Sequence, residues 1–247
     1  MISKKSAIEM YNSDKGFKKY SSAVTEIGLW KSEKKVIESY IDKKAKILDL
    51  GCGCGRTTFG LYDIGYCDIE GLDLSERQIM FAKQFAEKKK KNIKFSVGDA
   101  TQLPYNDETF DFVFYSFNGI QLIPGYENRL SCFKEVYRVL KKGGYFIFTA
   151  HNREVKEFKE FWDNEKIKWD NDRQDTNLEI FGDMIIFEDD GQGFIHYSSI
   201  DEIKNILEYT GFKIVEYYNR SDIIKEKKKI LDWSSDTVFW IVRKDDM

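Results

Sequence analysis

The stretch Ile47-Leu48-Asp49-Leu50-Gly51-Cys52-Gly53-Cys54-Gly55-Arg56 limits this chain more than any other. Three apolar residues around one acid read as a buried strand. Glycines at every second position then force a sharp turn, and Thr57-Thr58 carries the chain into a helix. Glycine is needed where the backbone takes a positive φ, or where a ligand must approach closer than a Cβ allows. The helix behind such a turn aims unpaired N–H groups and the positive end of its dipole into the same space. The result is a socket for an anionic or strongly polar ligand; the plain alternative is a tight turn that holds nothing.

The details of the turn narrow the ligand. A dinucleotide fingerprint wants G-x-G-x-x-G, whereas Gly51, Gly53 and Gly55 run G-x-G-x-G and Arg56 stands where the third glycine belongs. No lysine follows the glycines, so the G-x-x-x-x-G-K-[ST] phosphate grip is absent too. Asp49, two residues before Gly51, would repel a pyrophosphate but suits a ligand carrying an ammonium group.

From Lys46 onward strand and helix alternate. Strands are predicted at Lys46–Leu50, Asp68–Leu72, Ile93–Val97, Phe110–Phe117, Tyr145–Ala150, Phe212–Tyr218 and Thr237–Arg243. Helices are predicted from Arg56 to about Ile64 before Gly65, from a Ser75–Gln78 capping box, over Asn128–Leu140 with a stop at Gly143-Gly144, and from Ser199 to Thr210. The nearly unbroken apolar run at 110–117 marks a central strand buried on both faces. Repeated β–α order predicts a parallel, doubly wound α/β sheet with right-handed crossovers; a hairpin-like return makes the last strand antiparallel. Residues 151–197 break the rhythm, with a helix at Glu154–Lys168 and two short strands, Leu178–Phe187 and Gly193–Tyr197, joined by Asp189-Asp190-Gly191. Residues 3–42 read as helices carrying Tyr11, Phe17, Tyr20, Leu29 and Trp30, which either pack on the sheet or close over a ligand.

Composition excludes several classes. At 247 residues the chain can bury one sizeable core with room for an insertion. A net charge of −3 argues against a protein that lives on nucleic acid, and the basic run Lys88–Lys91 reads as a solvated helix C-terminus. No apolar stretch approaches the ~18 residues of a membrane span, and no signal-peptide core follows Met1. The four cysteines (Cys52, Cys54, Cys67 and Cys132) have neither disulfide-framework nor zinc spacing. A reducing cytoplasm is the expected compartment, with no metal and no membrane partner.

In an open α/β sheet, ligands bind beyond the carboxyl ends of the strands near the point where strand order reverses. That rule gathers Asp49 with Gly51–Gly55, then Asp73, then Asp99, then Ser116–Asn118. An acid after the second strand can accept both hydroxyls of a ribose. One after the third can accept an exocyclic adenine amine, with the Ala100 N–H facing a ring nitrogen. Each acid taken singly reads as a cap or turn former. Together, with no basic clamp, they describe a ligand with ribose, adenine and an ammonium but no phosphates.

On these residues the chain resembles a known family. ILDLGCGCGRTT, EGLDLS, VGDATQLPYNDETFDFVFYSF and VLKKGGYFIFTA are similar, in order and spacing, to the successive motifs of class I S-adenosylmethionine-dependent methyltransferases of small-molecule type. The likeness covers roughly residues 35–150. It implies a three-layer, Rossmann-like, seven-stranded sheet of order 3-2-1-4-5-7-6 with strand seven antiparallel. It implies one methyltransferase domain: an N-terminal helical lid (1–42), a cofactor-binding core (43–150), a substrate-cap insertion (151–197) and the rest of the sheet (198–247). It assigns Asp49, Gly51 and Gly53 to the methionine end of S-adenosylmethionine, Asp73 and Leu74 to ribose and adenine, and Asp99 and Ala100 to the adenine edge, with Cys52 counted among the cofactor-binding residues. Ser116 and Phe117 border the methionine and sulfonium, and Tyr11 is counted with the cofactor site.

Methyl transfer from a sulfonium needs mainly an acceptor held in line with water excluded; a base is needed only if the acceptor keeps its proton until late. His151, just past the fifth strand, is the candidate base, with an ordinary capping histidine as the alternative; His196 has the weaker claim. Tyr20 is placed to press on the cofactor or to hydrogen-bond an acceptor amine. Ser116-Phe117-Asn118-Gly119 lacks the N-P-P-Y pattern of amide and nucleobase-amine methylation. Phe158, Phe161, Trp162, Trp169, Phe181, Phe187 and Phe194 are expected to line an apolar acceptor pocket, to form the insertion's own core or to make a dimer contact. The expected partner is a small molecule, and the expected assembly a monomer or homodimer. The competing readings are an RNA-base methyltransferase, a nucleotide-cofactor oxidoreductase using Asp73, and a catalytically silent cofactor-binding module.

Overall fold

The computed structural model describes residues 4–188 and 191–245. Three helices lead in: α1 (Lys4–Asn12), α2 (Asp14–Glu26) and α3 (Lys31–Tyr40). Then come β1 (Ile47–Leu50), α4 (Arg56–Asp63), β2 (Ile69–Asp73), α5 (Glu76–Lys88), β3 (Lys94–Val97), β4 (Phe110–Tyr115), α6 (Tyr126–Val139) and β5 (Leu140–Ala150). The insertion holds α7 (Lys159–Asp170), β6 (Asp183–Glu188) and β7 (Gly191–His196). The chain closes with α8 (Ile200–Tyr209), β8 (Phe212–Asn219), the short helices α9 (Arg220–Ile223) and α10 (Lys228–Trp233), and β9 (Val238–Lys244).

Seven strands form one sheet in the order β3-β2-β1-β4-β5-β9-β8. This is the expected 3-2-1-4-5-7-6 arrangement, because β8 and β9 are its sixth and seventh strands. β1 pairs in parallel with both β2 and β4, so strand order reverses between β1 and β4. β9 runs antiparallel between β5 and β8. Ile47 and Leu48 in β1 and Phe112, Val113 and Phe114 in β4 are all fully buried, as a strand covered on both faces requires. Leu48, Leu50, Val113, Phe133, Phe148 and Trp240 pack in one layer. Ile37, Ile47, Phe112, Phe114, Ile147 and Phe239 pack in another, and these two layers flank the sheet.

Several boundaries differ from the sequence reading. α6 ends at Val139 and passes directly into β5, so Gly143-Gly144 lie inside a strand rather than at a helix stop. The reason is a displaced register: Leu140 pairs with Phe110 and Tyr145 with Phe112, and the intervening residues bulge out with Gly143 at φ +74°. Ser75 does cap α5 by accepting the Gln78 N–H, but Gln78 does not return the bond. Its amide reaches the Tyr11 carbonyl at 3.4 Å, and the Ser75 N–H donates to Asp73 instead. The reciprocal box is real at Ser199 and Glu202, where α8 starts. The insertion's helix begins at Lys159, and its first strand at Asp183 rather than Leu178. β6 and β7 form a separate two-stranded antiparallel sheet. Asp189 and Asp190 of the expected turn lie outside the described residues. The segment before the last strand holds two helices where only a polar connection was expected.

Candidate active site

β1 delivers its chain into a left-handed turn: φ is +63° at Gly51 and +54° at Gly53. A Cβ on Gly51 would lie 2.4 Å from the Tyr115 ring, so the position excludes larger residues by contact as well as by conformation. The Gly53 N–H donates to one carboxylate oxygen of Asp73 at 2.8 Å, and the Ser75 N–H donates to the other at 2.8 Å. The acid ending β2 therefore fixes the turn that follows β1. Burial holds the Asp73 carboxyl above its ordinary range, against the pull of these backbone donors.

Asp49 sits at the foot of the same turn and is only 1% exposed. One of its oxygens accepts the Thr57 and Thr58 hydroxyls at 2.6 and 2.5 Å. The two threonines that open α4 thus face back onto β1. Among the described residues it has no ion-pair partner, and burial pushes its carboxyl up to about 6. Asp99, after β3, is backed by the Thr101 N–H and hydroxyl, both at 2.8 Å. Burial also keeps the Cys54 thiol protonated, raised to about 12, and lifts Cys52 well above its usual range.

These groups open into one cleft of about 1190 Å³, counting the part in contact with solvent. Asp49, Gly51, Cys52, Gly53, Asp73, Leu74, Asp99, Ala100, Ser116 and Phe117 all line it, as do Tyr11 and Tyr20. The expected site residues are therefore brought together, with one exception. His151 does not line the cleft. The Asn118 side-chain oxygen Oδ1 accepts the Thr237 hydroxyl at 2.6 Å, which turns its Nδ2 toward His151 Nε2 at 2.8 Å. That bond leaves Nδ1 as the ring's donor, to the Asp236 carbonyl at 3.1 Å. Both ring nitrogens are thus engaged, and burial lowers the imidazole's pKa. The geometry makes His151 a support for Asn118.

His196 is also away from the cleft. Fully buried, it bridges Asp183 (2.7 Å) and Glu202 (2.5 Å), tying β6–β7 to α8. The insertion's aromatics form their own cluster instead of an acceptor pocket: Trp162 packs against Phe161, Phe181 and Tyr197. Phe158, Phe161 and Phe187 are exposed, and none of the insertion's described residues lines the cleft.

The sequence reading missed three elements of the site. Arg56, placed by the turn, forms a two-pronged pair with Glu33 of α3 at 2.6 and 2.8 Å. The buried Glu33 carboxylate also accepts the Trp30 N–H and the Ser116 hydroxyl. Trp233 of α10 enters the cleft wall, and Leu122, Ile123 and Pro124 form another part of it. No local pattern announces Trp233, and the bonds of Glu33 to Arg56 and Ser116 join residues distant in sequence. Only the odd arginine in the glycine turn was a signal.

The cleft fits an adenosyl cofactor with a charged amine. Asp49 is a buried acid that makes no ion pair among the described residues, Asp73 and Asp99 stand at neighbouring strand tips, and a glycine turn keeps Cβ atoms out of the way. Comparison with known proteins agrees. A family described as "Methyltransferase domain" matches residues 41–211, well over half of the chain. The Bacillus subtilis (strain 168) protein YqeM is 27% identical over 195 residues, covering 73% of this chain and 78% of that protein. The demethylmenaquinone methyltransferase of Lactococcus lactis subsp. lactis (strain IL1403) is 41% identical over 110 residues, 42% of either chain, so this chain spans less than half of that relative. In fold it is similar to a SAM-dependent methyltransferase from Methanosarcina mazei, with TM-score 0.68 and 21% identity over 88% of this chain and 99% of that one. Among the described residues no helix is long and apolar enough to cross a membrane. With its motifs, its sheet and this match in agreement, the chain belongs to the methyltransferase domain family of class I S-adenosylmethionine-dependent enzymes.

Proposed function

We propose that this protein transfers a methyl group from S-adenosylmethionine to a small-molecule acceptor in the cytoplasm. The observation that carries the reading is that acids at the tips of three neighbouring strands, Asp49, Asp73 and Asp99, open into one cleft around a glycine turn. In this reading Asp49, Gly51, Cys52 and Gly53 hold the methionine end, with Asp49 taking the amine. Asp73 and Leu74 take the ribose, and each Asp73 oxygen, held by one backbone N–H, keeps a lone pair for one hydroxyl. Asp99 and Ala100 meet the adenine edge, and Tyr11, Ser116 and Phe117 border the remainder. Bound S-adenosylmethionine supplies an already activated methyl group on a sulfonium.

The chain's part is then to orient the acceptor and exclude water, an effect worth several kcal/mol. Tyr20 lies over the cleft beside Phe117, with ring centres 6.2 Å apart, and is the side chain proposed to press on the acceptor. The described lining contains no histidine, and burial keeps Cys52, Cys54 and Tyr115 protonated. The three aspartates are occupied by the cofactor in this reading, so the acceptor atom brings its own lone pair. The helices of 1–42 act as the lid and 151–197 as an outer cap on a single methyltransferase domain, working as monomer or homodimer. The lack of disulfide-framework spacing among the four cysteines supports a reducing compartment, and the net charge of −3 supports a small molecule over RNA.

Calorimetric titration with S-adenosylmethionine and S-adenosylhomocysteine tests the reading. Wild type is expected to bind both, and Asp73→Ala to lose about 1–3 kcal/mol as two hydroxyls lose a charged acceptor. No binding by the wild type, or an unchanged affinity in the variant, would overturn it.

A further inference from the structure

The family match ends at residue 211 and begins at 41, yet part of the cleft wall comes from outside those limits. Tyr20 arrives on α2 and Trp233 on α10, and both meet Phe117 at the end of β4. Trp233 stacks on Phe117 with ring centres 4.3 Å apart and planes 23° apart, and Tyr20 stands edge-on to each at 6.2 and 6.3 Å. Trp30, completely buried, backs both Phe117 (5.9 Å) and Trp233 (6.2 Å).

Two features hold this ring cluster in place. Phe117 and Asn118 both adopt left-handed φ, +55° and +59°, a strained pair for residues with side chains. The strain persists because Asn118 is gripped at three atoms: its backbone N–H by Thr149, its side-chain Oδ1 by Thr237 and its side-chain Nδ2 by His151. On the other wall, the Glu226 carboxylate accepts the Lys31 and Ser32 N–H groups at the start of α3, which joins the segment bearing α10 to the N-terminal helices.

The charge around the rings selects the occupant. Trp30 already has the Arg56 guanidinium at 4.8 Å and Arg220 at 5.0 Å, and Arg56 is also 5.8 Å from the Trp233 ring. The positions a cation would take over these tryptophans are therefore filled. An anion gains little either, because Glu33 neutralises Arg56 through two hydrogen bonds and Asp236 stands 3.7 Å from the Arg220 guanidinium. We infer that Tyr20, Phe117 and Trp233 form the acceptor's seat, that it takes an uncharged planar ring, and that Trp233 sets this specificity. The inference rests on the methyltransferase reading only for the word acceptor; the seat itself follows from the rings.

Three probes separate the alternatives by calorimetry at neutral pH, each with and without S-adenosylhomocysteine: 2-naphthol (uncharged), 2-naphthoate (the same ring with a negative charge) and choline (a cation). Wild type is expected to bind 2-naphthol at least about tenfold more tightly than the other two. Trp233→Leu is expected to weaken 2-naphthol about tenfold, and Trp233→Phe, which keeps a ring, to restore most of the affinity. Tyr20→Leu, from the opposite wall, carries the same expectation and decides the matter if Trp233→Leu does not fold. The inference is overturned if wild type ignores 2-naphthol, if either charged probe binds as well, or if both leucine variants bind like wild type. Should S-adenosylhomocysteine fail to bind while 2-naphthol retains its dependence on Trp233, the methyltransferase reading falls and the ring seat stands.

Discussion

Asp49 offers a test in which stability and binding move in opposite directions. Its carboxyl is pushed from the ordinary 3.8 up to about 6 by burial, outweighing the Thr57 and Thr58 hydroxyls and the nearby Arg56. Below about 3.8 both folded and unfolded chains hold the proton. Between there and about 6 the unfolded chain has lost it and the folded chain has not. The folded state then binds more protons, so stability falls as pH rises through this window and stays reduced above it. The rise from 3.8 to about 6, at 1.36 kcal/mol for each tenfold change in proton affinity, makes the ionised side chain cost about 3 kcal/mol at pH 8. Asp49 is 1% exposed, so solvent does not screen this cost. Asp49→Asn keeps an oxygen for the two threonine hydroxyls and removes the charge. Urea unfolding at pH 5 and pH 8 is expected to show the ligand-free variant more stable than wild type by up to about 3 kcal/mol at pH 8, with a smaller gain at pH 5. The same variant is expected to bind S-adenosylmethionine about tenfold or more weakly, having lost the partner of the amine. Equal stability at pH 8, or a gain that does not depend on pH, would refute the argument that this buried charge awaits a cation.

Replacing His196 by leucine leaves the Asp183 and Glu202 carboxylates without the imidazole between them, and thermal unfolding is expected to show a loss of about 3–5 kcal/mol. Glu202 is held down to about 2, and Asp183 below its usual range, by their hydrogen bonds to His196 against the cost of burial; the stability they provide is present above the ordinary carboxylate range and is lost as pH falls toward about 2. Acid titration of His196→Leu should lack that part of the loss. His151→Ala removes one of the three grips on Asn118 and is expected to lower turnover while leaving the shape of the pH–rate profile unchanged; loss of one ionising limb would instead make His151 a base. Arg56→Ala strands the Glu33 charge in the interior and is expected to cost about 3–5 kcal/mol by denaturant unfolding, whereas the double change with Glu33→Gln should recover part of it.

The sequence by itself determined the sheet, the strand order implied by its motifs, and the tips at which Asp49, Asp73 and Asp99 stand. Those are local signals: a run of apolar residues, a glycine turn and an acid at a strand end are read within about ten residues of one another. It also placed Ser199 and Glu202 as a helix start, because both halves of that cap are adjacent in the chain. The same local logic misread Gly143-Gly144 as a helix stop, since only pairing with β4 shows that they bulge within a strand. Tertiary structure alone decided the far wall of the cleft. Trp233 and Glu33 reach the site through partners many residues away, Phe117 points inward because a buried network sustains its left-handed backbone, and His151 is drawn into that network rather than toward the acceptor. A backbone turn is written in consecutive residues; a side-chain contact between helices from opposite ends of the chain exists only once the core between them has formed.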